Sequence, residues 1–235
     1  MRKIKSVFIK QLKSFFKNPA MFGTPVAFLL IPFAILLLIP GADTDRGIII
    51  AQFVVMFVGI SMIGTSSGFI AEDRATMNLR FMGMAGVKPY QYLLATCGAL
   101  LLISLGILTL FGLMGMYSGE TMMNFLIISM LGAACSMLLG ITLSLSKAAP
   151  FTMLVGMLLG IGPIFADANE VLESIFRFTY THQVNTVIRG DLSTDLDDAL
   201  TVVLINIAVL LLAFIVMNAK NGLDGEKLTK ETRAC

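Results

Sequence analysis

Six apolar runs carry almost no charge and leave little room for a water-facing fold. They cover residues 20–40, 48–71, 93–117, 122–146, 151–165 and 199–218. A helix needs about 20 apolar residues to cross a bilayer, and in lipid every backbone N–H and C=O must find its partner inside the helix. The runs therefore predict an all-α, polytopic membrane protein with six transmembrane helices. Composition agrees: 57% of residues are hydrophobic and 14% charged, with mean hydropathy +0.87, against about a quarter charged in soluble domains.

The runs differ in character. The first contains Pro25 and Pro32, tolerated in membrane helices where neighbours re-satisfy the freed carbonyls. In the second, Ser61, Gly64, Thr65 and Gly68 share one helical face. That face suits a conduit, a dimer contact or simply close helix approach. The third and fourth are joined only by residues 118–121, which makes them an antiparallel hairpin. The fifth is short, carries Gly156-x-x-x-Gly160 and Pro163, and is expected to reach partway or break near the proline.

Four segments lie outside these runs. In residues 1–18, Ile4, Phe8, Leu12 and Phe15 recur at helical spacing with Val7 and Phe16 beside them, and Lys10, Lys13 and Lys17 lie on another face. This pattern predicts an amphipathic helix at the membrane interface. Segment 72–92 is charged yet helical in pattern. Segment 167–198 has an apolar stripe (Val171, Leu172, Ile175, Phe176 and Phe178) and an excess of acid, and is expected to form one or two short helices at the outer membrane face, an outer-face re-entrant element. Residues 219–235 read as a charged cytoplasmic tail beyond Asn221-Gly222, a usual helix stop. With six spans, 14 of the 17 basic residues fall on one side: six before residue 19, three in 72–92, Lys147 and four in the tail. Basic residues mark the cytoplasmic side, so both termini and segment 72–92 are expected inside a multi-pass protein of the plasma membrane.

Several chemistries find no support. One histidine, His182, and three unspaced cysteines, Cys97, Cys135 and Cys235, make no metal-binding pattern, so no metal is expected. A net charge of +2 gives no reason to expect nucleic acid. Intramembrane enzymes need ionisable groups within their spans, and these runs hold essentially none. The basic start leads to no short apolar core with a small-residue cleavage site, so no secretory signal is expected. The nearest approach to a phosphate-binding loop, Gly83-x-x-Gly86-x-Lys88, has the wrong spacing and Pro89 in place of the hydroxyl.

Segment 72–92 reads Glu72-Asp73-Arg74-Ala75-Thr76, then Leu79, Phe81 and Met82, then Ala85-Gly86-Val87-Lys88-Pro89 with Tyr90 and Tyr92. In this order of elements the chain resembles the permease subunits of ABC type-2 exporters. The resemblance covers nearly the whole length, with two departures: Glu72-Asp73-Arg74 stands where Glu-x-Glu is common, and 168–190 lacks the proline found in many relatives. It implies a cytoplasmic coupling helix at 72–92, a separate cytoplasmic ATP-binding subunit that carries ATP and Mg, no cofactor and no catalysis on this chain, and a second permease subunit as homo- or heterodimer. The cargo implied by such apolar spans is hydrophobic or amphipathic: a peptide, drug or lipid.

The residues themselves give the segment a use. Phe81, Met82, Met84 and Val87 offer an apolar face for a partner's groove. Glu72, Asp73 and Arg74 are expected at the start of the helix, where carboxylates are favoured, and Arg80 and Lys88 could pair with a partner's rim. The competing readings are a helix packing on its own bundle, a non-transporting immunity or sensor subunit, and a membrane-embedded enzyme.

Overall fold

The computed structural model describes residues 2–39, 45–145, 149–166, 169–190 and 196–221, and every regular element among them is helical. Residues 222–235 of the expected tail, together with Lys147 and Asp191, lie outside the described residues. Five helical stretches are long and apolar enough to cross a membrane: Met21–Leu38, Arg46–Ala75, Pro89–Met114, Gly119–Ser144 and Leu196–Ala219.

Helix α1 (Arg2–Lys17) is amphipathic as expected, but its inward face is Val7, Gln11 and Phe15, all buried. It lies on α6 (Pro89–Met114), and a Phe15–Phe16–Phe22 ring cluster ties it to α2 (Pro19–Leu38). Phe16 is 65% exposed. The second run begins as α3 (Arg46–Met56), passes through a π-helical turn at Phe57–Ser61, and continues as α4 (Met62–Ala75). Next come α5 (Asn78–Met84), α6, and α7 (Gly119–Ser144). The α6–α7 hairpin turns through Met116 and Gly119, both at positive φ.

Helix α8 (Thr152–Ala166) holds the short fifth run in 15 residues. At 1.5 Å per residue it is roughly 22 Å long, short of the roughly 30 Å of bilayer hydrocarbon. Its Gly156-x-x-x-Gly160 face is taken by the π-turn of the same chain. A Cβ on Gly59 would stand 2.5 Å from Gly160 Cα, an approach only paired glycines permit.

The described part of 167–198 forms two short helices, as its pattern predicts. Helix α9 (Glu170–Phe176), capped by Asn169 Oδ1 accepting from Val171 N at 2.9 Å, has no buried residue. Helix α10 (Tyr180–Arg189) packs into the bundle. Tyr180, Thr181, His182, Val184, Asn185, Val187 and Ile188 are all buried against α3, α7, α8 and α11 (Leu196–Asn221). Gly132 on α7 makes the room: a Cβ there would meet Val184 Cγ2 at 2.8 Å. The Tyr180 and Ser136 hydroxyls share a hydrogen bond of 2.8 Å.

Two apolar cores result. The larger runs through α3, the π-turn, α6, α7, α10 and α11. The smaller, built on Val7, Ile70, Leu79, Tyr92, Ala95, Ile141, Leu145 and Phe214, closes the end of the bundle where α4, α5 and α6 meet. Helices α2 and α11 are peripheral, with only 17% and 11% of their apolar windows buried in the protein.

Candidate functional site

The end of α4 is set by its last residues. Thr76 donates to Glu72 O from both its amide (2.9 Å) and its hydroxyl (2.7 Å), and Met77 then turns left-handed at φ 54°. Segment 72–92 is thus divided. Glu72, Asp73 and Arg74 close α4 instead of opening a single polar helix, a correction to the expected placement. Carboxylates at a helix C-terminus meet its partial negative charge, so this position has to be compensated from elsewhere.

Helix α1 compensates it. Asp73 is 2% exposed. Its Oδ1 is paired with Lys10 Nζ, and Asn78 Nδ2 approaches the same oxygen at 3.4 Å. Its Oδ2 accepts from Gln11 Nε2 and from Tyr92 Oη, each at 2.9 Å. Gln11 also reaches Thr96 Oγ1 at 3.4 Å. Beside it, Ser14 Oγ donates to Glu72 Oε2 at 2.9 Å. A buried carboxylate is tolerable only when its lone pairs are filled by such donors. Here one carboxylate joins α1, α4, α5 and α6.

A second clamp sits at the far end of the loop. Lys3 Nζ donates to Ala85 O and Gly86 O, both at 2.9 Å. Gly86 is at φ +69°, a conformation in which an L side chain is strained. Arg74 leaves the cluster and donates to Ser144 O on α7 at 2.9 Å.

The expected apolar face is split. Leu79 is buried, and Met82 and Val87 pack half-buried on the smaller core. Phe81 is 60% and Met84 64% exposed, beside exposed Met77 and Tyr90. Arg80 is half-buried and its Nε has no partner. Lys88 is exposed, its amide capped by Gln91 Oε1 at 3.1 Å.

The small-residue face of the second run is also divided. Ser61 and Thr65 are buried in the chain's own bundle, while Gly64 and Gly68 are half-exposed. Gly68 borders a cavity of about 270 Å³ shared with Ser67, Ile70, Ala71, Arg74 and Ser144.

Reading the sequence missed Lys10, Gln11, Ser14, Tyr92 and Lys3. A signal was present for one of them: Gln11 is the lone amide between Val7 and Phe15 on an otherwise apolar stripe. Elsewhere, His182 on α10 has a buried Nδ1 without a partner. Burial lowers its pKa from the usual value; Glu173 opposes the shift and Arg177 adds to it. Among the described residues no group of three or more His, Cys, Asp or Glu is placed to hold a metal.

Fold and composition together define an all-α, multi-pass membrane protein. Compared with known proteins, the chain matches no family model, no curated protein and no solved structure.

Proposed function

We propose that the chain is the permease subunit of an ATP-driven exporter of the ABC type-2 kind, and that the Asp73-centred end of the bundle receives the stroke of a separate ATP-binding subunit. One observation carries this reading. At the end of the bundle where the basic residues gather, a short helix exposes Phe81 and Met84 while Leu79 on its other face packs with Val7, Ile70 and Tyr92 and its first residue, Asn78, reaches the Asp73 carboxylate at 3.4 Å. A force applied to the exposed face passes into two long apolar helices without being absorbed by a loose loop. In this reading α8 is the fifth of six passages, both termini are cytoplasmic, and the coupling helix is α5 with its flanking turns.

The partner is a cytoplasmic ATPase whose groove takes the Phe81–Met84 side, with Arg80 and Lys88 near its rim. A second permease subunit completes the conduit, and the peripheral apolar faces of α2 and α11 meet lipid or that subunit. The cargo is hydrophobic or amphipathic. The test is purification in mild detergent from the native host. The parent chain should bring down an ATP-hydrolysing subunit, and Phe81→Asp with Met84→Asp should lose it while still inserting in the membrane. Recovery of the same ATPase by the double variant would remove α5 from the contact; recovery of no ATPase by the parent would favour the immunity or sensor reading.

A further inference from the structure

The second long run is irregular at its middle. At Phe57–Ser61 the helix is π-wound, with Met62 N–H bonded to Phe57 O five residues back. Such turns hold one residue more than an α-turn and occur mostly at functional sites. One feature keeps this turn in place and a second favours its release. The first is α8: Gly59 and Gly160 touch so closely that a Cβ on Gly59 would be 2.5 Å from Gly160 Cα, and one on Gly156 would stand 3.4 Å from Gly59 O. The second is an unmet need. Ser61 Oγ is fully buried with no hydrogen-bond partner, whereas Thr142 and Ser144 each bond the carbonyl four residues back at 2.7 Å. In an α-wound turn Ser61 would have Phe57 O in that position.

We propose that this π-turn is a rewinding hinge held open by α8. When Gly160 withdraws, the turn rewinds to α-helix and Ser61 gains its carbonyl. The extra residue joins the helix, and α4 advances by about 1.5 Å and turns by about 100° relative to α3. Asp73, eleven residues beyond Met62 on the same helix, is carried away from Gln11 and Tyr92. The seated π-turn and the intact Asp73 cluster therefore belong to one conformation, and the rewound helix with an open cluster to the other. Because α10 holds α8 through Asn185 Nδ2 donating to Pro163 O at 3.3 Å, events at either end of the bundle reach the same hinge. The hinge stands whether or not the chain is an exporter subunit.

The test uses the full-length chain in lipid nanodiscs with Cys97→Ala, Cys135→Ala and Cys235→Ala, and a reporter pair Ser14→Cys with Glu72→Cys bridged by a short bifunctional methanethiosulfonate. The parent should crosslink efficiently. Gly160→Ala, whose methyl meets Ile60, should reduce crosslinking to about a tenth, and Gly59→Ala, which adds a methyl from the other helix, should do the same. Deleting Ile60 removes the residue that the π-turn holds in excess, so α3 and α4 keep their faces in a continuous α-helix. That deletion should restore crosslinking, or monodisperse protein where the glycine variants aggregate, in either background. Undiminished crosslinking in both glycine variants, or a loss that the deletion does not rescue, would overturn the hinge.

Discussion

Asp73 is a buried carboxylate near the C-terminal end of α4, held by donors from α1, α5 and α6. In the sequence it stands as a charge beside an apolar run, but the helix continues four residues past that run, so the carboxylate ends one helix instead of starting the next. Its partners are Lys10, Gln11, Asn78 and Tyr92, and no local pattern links them. Removing it takes from the buried Gln11 amide and Tyr92 hydroxyl their shortest acceptor and turns the part-exposed Lys10 to solvent, and a buried donor left unpaired costs about 1–3 kcal/mol. Asp73→Ala should therefore lower the thermal midpoint in detergent and make α1 accessible to protease; unchanged protection of Lys13 and Lys17 would mean that apolar packing alone holds α1. His182 offers a pH test. Its folded-state pKa lies below the usual value because burial disfavours the imidazolium. The neutral form is thus the seated one, and its contribution is full above the unfolded value near pH 6.5 and is lost as pH falls through it toward the lower folded value. Hydrogen-exchange protection of α10 should drop as pH falls below about 6.5, and His182→Gln should flatten that change.

At the level of elements, legibility followed hydrophobic contrast. Helices α2, α6, α7 and α11 were readable because each is a long apolar run with polar punctuation, and α1 because its two faces differ. Helix α10 was not: Thr181, His182 and Asn185 are buried beside Val184 and Ile188, so its inward face looks polar on paper. What admits it is a missing side chain on another helix, Gly132. Gly132→Val should overpack that contact and cost about 1–3 kcal/mol, read as a lowered thermal midpoint with early loss of α10 protection; a stable variant with α10 still protected would show that the seat is looser than the 2.8 Å approach implies. The π-turn left no signature beyond a glycine in an apolar run, since backbone winding is set by what packs on it. The Gly156-x-x-x-Gly160 motif is legible as a close-packing signal, and it packs on the chain's own second run.

For the whole molecule, spans and charge asymmetry carry most of what can be read from composition. In the proposed reading of six passages, the 14 basic residues on one side put the Asp73 end of the bundle in the cytoplasm. There the protein presents a small apolar surface, Phe81 and Met84, on a helix fixed from behind by a buried carboxylate and a closed core. The proposed function rests on this surface between two membrane helices. A photo-crosslinking side chain introduced at Phe81 in native membranes tests it most directly. The expected product joins this chain to a soluble ATP-hydrolysing subunit, and crosslinking should fall when Asp73→Ala loosens the support. Crosslinks to lipid or to the chain's own bundle alone would contradict it.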